Sequence, residues 1–354
     1  KQKITPSMNV IEIALRSISV ILEKDYYPII LLLTLLALAF SRNRRILILS
    51  FLVVIILTAT LKTFYQEDRP CKILPALVDC TDYGFPSGHT ITSILLPAAT
   101  LGSFAFFMFL PLSVLIAFSR IYLGVHTLNQ VVGGISLGLF VYFALERLHN
   151  QAEKYRQKKN RSLALLENGR QIIHILGGFA IIGMLYFFGL NQEGLLSVEL
   201  ILLALLISGM MLINMRMLGM WIGPFNHILA KFDRKNDIFP GRGPLMYLVG
   251  ILMILSYSGN FNFMLGAIAM FAAGDGAATM IGMKWGKNRL IWNGKKSWEG
   301  AIAFFAAASI AAFPFIGLSA LTYSAILAII ETLDFHIDDN LLIPFVSVIV
   351  HTFM

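Results

Sequence analysis

Along this chain long runs of apolar residues alternate with short clusters of charge, and the runs set the first reading. Between Met8 and Leu22 the apolar residues Val10, Ile13, Ala14, Ile18 and Ile21 return at helical spacing, with Ser7 placed as an N-cap and Glu12 and Arg16 one turn apart. This stretch carries charge in its middle and lacks a small-residue cleavage site, so it predicts an interfacial helix rather than a span or a cleaved signal. Apolar runs follow at 26–41, 45–61, 90–106, 107–122 and 128–146, then at 172–190, 196–213, 244–257, 262–281, 300–316, 318–333 and 341–354. The stretch 90–122 is divided because a single helix of that length would reach ~50 Å, well beyond a hydrocarbon core of ~30 Å.

A polar break with Arg147, Lys154, Arg156, Lys158, Lys159 and Arg161 separates the two groups of runs. It predicts a first domain at 1–150, a basic cytoplasmic linker at 151–165 and a second domain at 166–354. No fixed-period repeat is visible, and the halves are not copies of each other. With 57% hydrophobic and only 14% charged residues, a soluble globular protein is excluded. The expected fold class is therefore all-α: a polytopic integral membrane protein of two transmembrane helical bundles with about 12 spans.

The net charge of +8 comes without a basic, aromatic-interleaved groove, so it speaks for membrane orientation and against nucleic acid. Arg42, Arg44 and Arg45, the linker, then Arg216, Lys231, Arg234, Lys235 and Arg242, and finally Lys284, Lys287, Arg289, Lys295 and Lys296 mark cytoplasmic loops. Threading the spans between them puts 62–89 and 119–127 on the outer face. Cys71 and Cys80 are too few for a disulfide scaffold; on that outer loop they either close one small disulfide or stay free thiols.

Three polar blocks fall on the outer face: Lys62 with Arg69-Pro70; Pro86-Ser87-Gly88-His89; and Ser119-Arg120 with His126. Cations and N–H donors for phosphoryl oxygens, a nucleophile and an acid for the leaving group are the parts of a phosphoryl-transfer site. Any one block alone reads as snorkelling cations or a structural histidine; three in order on one face read as a site. They match K-x6-R-P, P-S-G-H and S-R-x5-H, and over residues 25–146 the chain resembles the type-2 phosphatidic acid phosphatase (PAP2) superfamily. The resemblance implies a mechanism without metal or cofactor, in which His126 attacks phosphorus to give a phosphohistidine and His89 protonates the leaving oxygen. Lys62, Arg69, Ser87, Gly88, His89 and Arg120 would hold the phosphoryl oxygens. The superfamily's usual aspartate, four residues after the second histidine, is here Gln130, as in the branches of dolichyl diphosphatases and glucose-6-phosphatases. A glutamine carbonyl still fixes the tautomer but gives no charge to an imidazolium. On this reading Gln130 only orients His126, and an aspartate in its place should serve at least as well.

In the second half, Gly274-Asp275-Gly276-Ala277-Ala278 sets a carboxylate among small residues inside an apolar helix, where ionisable groups are costly and functional. Asn293-Gly294-Lys295-Lys296-Ser297-Trp298-Glu299-Gly300 is a dibasic turn entering a helix, suited to cradling a polyphosphate, and Asp338-Asp339-Asn340 offers a carboxylate pair for a divalent cation. Arg170 and His174 open the first span of this half, and Pro240-Gly241-Arg242-Gly243-Pro244 reads as a turn. Over about 165–354 these blocks resemble the CTP-dependent lipid kinases, the family of dolichol, phytol and yeast-type diacylglycerol kinases. The middle block is also similar to phosphatidate cytidylyltransferases, which end without the D-D-N element. The kinase resemblance implies Mg²⁺ and a nucleoside triphosphate donor, CTP by family, with Asp275, Asp338 and Asp339 as metal ligands and Asp275 also as a base. Lys295, Lys296 and Ser297 would lie on the phosphates, and Glu299 would orient the lysines or the metal.

The combined expectation is a bifunctional lipid enzyme of a prokaryotic plasma membrane. An outer site would convert polyprenyl diphosphate to monophosphate, and a cytoplasmic site would phosphorylate polyprenol, both supplying the monophosphate. The alternatives are a phosphatidate phosphatase fused to a diacylglycerol or phytol kinase and, from another class, a lipid transporter. A transporter needs ionisable residues along a continuous path, whereas here they cluster at two faces.

Overall fold

The structure, a computed structural model, describes residues 10–72, 77–78, 80–154, 164–223 and 237–354. Ser7, Arg156, Lys158, Lys159, Arg161, Lys231, Arg234 and Lys235 lie outside the described residues. The chain divides into two compact units, Lys1–Phe143 and Ala144–Met354.

The first unit contains α1 (Val10–Lys24), α2 (Tyr26–Phe40), α3 (Arg44–Tyr65), α4 (Gly88–Thr100), α5 (Phe106–Tyr122) and most of α6 (Leu128–Lys154). α3 shows how a membrane helix is divided between protein and lipid. Ile46, Leu47, Ser50 and Val54 form a buried stripe at helical spacing, while Ile48, Leu49, Leu52, Ile55 and Ile56 stay exposed to hydrocarbon. Its start is fixed by Asn43, whose side chain accepts from the N–H groups of Arg45 and Ile46 at 3.1 and 3.3 Å.

The 90–122 stretch is the expected hairpin. α4 stops at Thr100, Gly102 turns the chain at φ 87°, and α5 returns against α4, with the Ser113 hydroxyl donating to the Ser93 carbonyl at 2.7 Å. At the far end of α4 the Arg42 N–H donates to the Ala99 carbonyl at 3.1 Å, tying the α2–α3 turn to the hairpin's tip.

α6 is held tightly on α4 by two glycines one turn apart. A Cβ at Gly134 would lie 2.2 Å from the Thr90 hydroxyl and 2.8 Å from the Ser87 carbonyl. One at Gly138 would lie 2.5 Å from Ile94 Cγ2 and 2.8 Å from the Ile91 carbonyl. Small residues let helix backbones approach where lipid offers no hydrophobic driving force between them. This approach lets the Ser87 N–H donate to the Gln130 carbonyl at 3.0 Å, joining two of the sequence blocks.

The second unit contains α7 (Ala164–Phe188), α8 (Gln192–Met217), α9 (Arg242–Ser258), α10 (Phe261–Trp285), α11 (Trp298–Ile316), α12 (Ser319–Thr332) and α13 (Asp339–Phe353). α10 is its axis, packed against α7, α9, α11, α12 and α13. It is apolar all round, and nearly every residue from Phe263 to Asp275 is buried, as expected for a helix with no lipid-facing side. Thus each of the twelve expected spans is a helix. Six are long and apolar enough to cross a bilayer unaided, and the protein is an all-α polytopic membrane protein.

The α4–α6 seam yields a stability test. Gly138→Val should lower stability by about 1–3 kcal/mol through overpacking, read as a lower unfolding midpoint in detergent. Gly183→Ala, where a Cβ meets nothing within 4 Å, should leave the midpoint unchanged.

Candidate active sites

In the first unit all the outer blocks come to one end of the helices. Lys62 is on the last turn of α3, Ser87 to His89 are at the start of α4, Arg120 is near the end of α5, and His126 and Gln130 flank the start of α6. The cations are already engaged. Asp82 bridges Lys62 and Arg69, the latter at 2.6 Å, and Arg69 also donates to the Tyr83 carbonyl at 3.4 Å. Arg120 has no exposed side-chain surface; it pairs with Glu23 and donates from Nε and Nη2 to the Ser119 hydroxyl at 3.1 and 2.9 Å. A Cys71–Cys80 disulfide with a Cα–Cα distance of 6.2 Å cross-links the chain just before Asp82, so of the two possibilities for these cysteines the bonded one holds.

His126 is buried. Its Nδ1 lies 2.9 Å from Gln130 Oε1, so the amide oxygen accepts the Nδ1 proton and leaves Nε2 with a lone pair. Nε2 and the Ser87 hydroxyl are buried polar atoms without a hydrogen-bond partner among the described residues. In a folded interior such atoms call for an explanation: the Ser87 hydroxyl is free to donate to an anionic oxygen, and the Nε2 lone pair is free to meet an electrophile. Burial, then the charge of Arg69, pushes the His126 pKa down to about 3 against the opposing hydrogen bond from Gln130; Lys62 and Arg120 add to the shift. The imidazole is therefore neutral and nucleophilic at ordinary pH. For Asp82, burial opposes the charge, but the Lys62 and Arg69 contacts outweigh it and hold its carboxyl below the usual range.

Gln130 does more than orient His126. Its amide nitrogen donates to Glu67 Oε1 at 2.7 Å and to the Asp68 carbonyl at 3.1 Å, and burial raises the Glu67 pKa. An aspartate would set a second carboxylate against Glu67 and lose both donors, so the expectation that it would serve equally well is revised. Glu23, Tyr26, Glu67 and Asp82 were missed by sequence reasoning. Each acts across a loop or helix gap with no local spacing to reveal it.

In the second unit, Asp275 on α10 lies 3.3 Å (Oδ2) from His174 Nδ1 on α7. A Cβ at Gly276 would come within 2.5 Å of Ile175, and one at Gly178 within 2.4 Å of Ala272 Cβ, so a small-residue seam brings the two helices together here. His174 Nε2 is buried without a hydrogen-bond partner. Lys296 pairs with Glu331 and with Asp339 at 3.2 Å. Burial opposes its charge, yet Asp339, Glu331 and, farther off, Asp275 raise its pKa.

The remaining expected residues lie apart from this cluster. Lys295 is exposed and pairs with Asp334 at 2.8 Å. Ser297 caps α11 by accepting from the Gly300 N–H at 3.2 Å. Glu299 accepts from the Asn288 N–H at 3.1 Å and its amide at 2.9 Å, so it folds the 286–297 loop and touches neither lysine. Arg242, read as part of a turn, is fully buried between Glu146 at 3.0 Å and Asp338 at 3.5 Å. Asp275, Asp338 and Asp339 each face a different cationic or imidazole partner, and no three His, Cys, Asp or Glu among the described residues are grouped to hold a metal ion.

Residues 43–154 match the PAP2 superfamily. The N-terminal region of this helical membrane protein carries a PAP2 superfamily domain. The chain is 32% identical over 120 residues to an undecaprenyl-diphosphatase of Sulfolobus acidocaldarius, covering 31% of this chain and 58% of that one. It is 28% identical over 241 residues to a probable chloroplastic phytol kinase 2 of Oryza sativa subsp. japonica, covering 62% of this chain and 73% of that one. A solved PAP2-type phosphatidylglycerolphosphate phosphatase from Bacillus subtilis aligns over 43% of this chain and 82% of its own, at 21% identity and a TM-score of 0.34. The chain spans a little over half the length of the curated relatives matched by its first half.

The geometry of His126 gives a direct test. In histidine-selective ¹⁵N NMR it should keep one neutral Nδ1–H tautomer from about pH 8 to about pH 5, because its pKa is displaced far below the ordinary ~6.5. A His126 resonance titrating near 6.5 would contradict this.

Proposed function

We propose that the chain is a bifunctional lipid enzyme. Its first unit removes the terminal phosphate of a polyprenyl diphosphate, and its second phosphorylates a polyprenol from a nucleoside triphosphate, so that both deliver polyprenyl monophosphate. The observation that carries the phosphatase half is the buried, unpartnered Nε2 of a neutral His126 within electrostatic range of Arg69, Lys62 and Arg120. In the reaction Nε2 forms a bond to the terminal phosphorus while the bridging P–O bond breaks, and His89 gives the leaving oxygen a proton. Water then attacks the phosphorus, giving its proton to His89 as the P–N bond breaks, which restores both histidines and releases phosphate. Lys62, Arg69, Arg120, the Ser87 hydroxyl and the Gly88 and His89 backbone stabilise the equatorial oxygens. The undecaprenyl-diphosphatase relative favours a diphosphate substrate.

For the second unit, the phytol kinase relative and the His174–Asp275 pair support lipid phosphorylation. His174 Nε2 takes the proton of the lipid hydroxyl, whose oxygen attacks the terminal phosphorus as the nucleoside diphosphate leaves. Asp275 holds the imidazole in the accepting tautomer. Lys296 is the proposed contact for the triphosphate, with Lys295 and Ser297 on the same loop. CTP is the proposed donor. Mg²⁺ would accompany the nucleotide, with Asp275, Asp338 and Asp339 as the carboxylates closest to its phosphates.

Sidedness is part of the proposal. Within the second unit the turns 189–191, 259–260 and 317–318 carry no Lys or Arg, whereas the opposite end carries Arg216, Arg242, Lys284, Lys287, Arg289, Lys295 and Lys296. That asymmetry favours a cytoplasmic nucleotide site. The disulfide favours an extracytoplasmic phosphatase loop. The setting proposed is a prokaryotic plasma membrane.

The purified protein, assayed with polyprenyl diphosphate and separately with polyprenol plus CTP, should be active in both. His126→Ala should cut phosphate release at least about a thousandfold and spare lipid phosphorylation, while Asp275→Asn should do the converse. Loss of both activities from either change in folded protein refutes two separate sites. Gln130→Asp should lower the phosphatase rate about tenfold or more, and adding Glu67→Gln should restore much of it, since the second change removes the opposed carboxylate.

A further inference from the structure

The first unit's site contains an acidic group that its phosphate chemistry does not call for. Glu23 lies at the end of α1, outside the stretch 43–154 that matches the PAP2 superfamily. One of its oxygens, Oε2, contacts Arg120 and is also 3.9 Å from His89 Nε2. A guanidinium on one side and the imidazole that protonates the leaving group on the other is the setting a phosphoryl oxygen requires. The chain just beyond Glu23 is anchored at the same histidine. The Tyr26 ring, just after α1, packs on the His89 ring at a centroid distance of 3.9 Å, and its hydroxyl donates to the His89 carbonyl at 2.9 Å. Glu23 keeps only 19% of its side-chain surface exposed, so water screens it weakly. Asp82 does the same for Lys62 and Arg69 from an exposed loop. All three cations are thus covered by two carboxylates, one at each side of the site.

We propose that Glu23 is a specificity-determining residue of this site: a built-in anion that stands in the phosphate position and must be displaced by substrate. A lone phosphate offers one anionic group against two seated carboxylates. A diphosphate brings two linked phosphates, one for each set of cations, so the second displacement is intramolecular and the exchange is favourable. Glu23 therefore selects against monophosphates and keeps the product of a diphosphatase from rebinding. This inference rests on the phosphatase reading of the first unit and deepens it.

The sign of one binding change separates this role from a structural one. If Glu23 merely holds Arg120 in place, removing its charge weakens anion binding; if it competes, removal strengthens it. The full-length protein in detergent would be titrated calorimetrically with inorganic phosphate and with pyrophosphate, so that no turnover is needed. Glu23→Gln should tighten phosphate about tenfold and pyrophosphate less, narrowing the preference between them. Glu23→Asp, which keeps the charge but draws it back by one methylene, should shift both in the same direction by a smaller factor, and it decides the matter if the glutamine variant does not fold. Unchanged or weaker phosphate binding in a folded variant overturns the inference while leaving the phosphatase reading intact. Absence of anion binding in wild type and variants alike overturns both.

Discussion

A cation sealed from water among apolar helices needs a carboxylate beside it, and that requirement organises this protein. Arg120 and Arg242 have no exposed side-chain surface, and each is met by acids from distant parts of the chain: Glu23 for the first, Glu146 and Asp338 for the second. Lys296 is served by Glu331 and Asp339, and Asp82 serves Lys62 and Arg69 together. Desolvating a charge as fully buried as Arg120 or Arg242 costs several kcal/mol, roughly, so removing its partner is far more damaging than the pair is stabilising. The pairings therefore fix which helix ends meet.

The helices themselves were legible because membrane spanning is a strong constraint on a sequence. A backbone in hydrocarbon must satisfy its hydrogen bonds internally, so each long apolar run has little choice but to be helical. The division of 90–122 followed from length alone. The blocks around Lys62, His89, Arg120 and His126 were legible as well, because each is local in sequence. Their partners were not. Glu23 and Arg120 are 97 residues apart, as the spacing of their shared hydrogen bond records, and nothing near Glu23 marks it as different from an interfacial acid. Glu67 escaped notice for the same reason, so Gln130 looked like a simple replacement for an aspartate when it is one link of a chain from His126 to Glu67.

The second unit shows the opposite difficulty. Its motifs were visible, yet the fold gathers only some of their members: Lys296 meets Asp339 and Glu331 within the field of Asp275, while Lys295 turns elsewhere. Lys295 and Lys296 are neighbours in sequence but face different acids, and Glu299 serves the loop's own backbone. His174 stood out only as a polar residue entering a span. Its significance depends on a seam of Gly178, Ala272 and Gly276, which brings α7 and α10 close enough for His174 to meet Asp275.

The shortness of α4 has a consequence for where lipid meets this protein. With 13 residues it rises only ~20 Å, against a hydrocarbon core of ~30 Å, and its lower end is tied to the turn bearing Arg42. With the turn bearing Arg42 at one interface, Ser87 and His89 would lie about 10 Å short of the opposite one, recessed below the plane where headgroups normally rest. Either the bilayer thins around the first unit or a headgroup sinks to reach the histidines. In both cases a lipid substrate of the proposed phosphatase would enter sideways from the lipid phase, and local membrane thickness would become a variable that tunes its access.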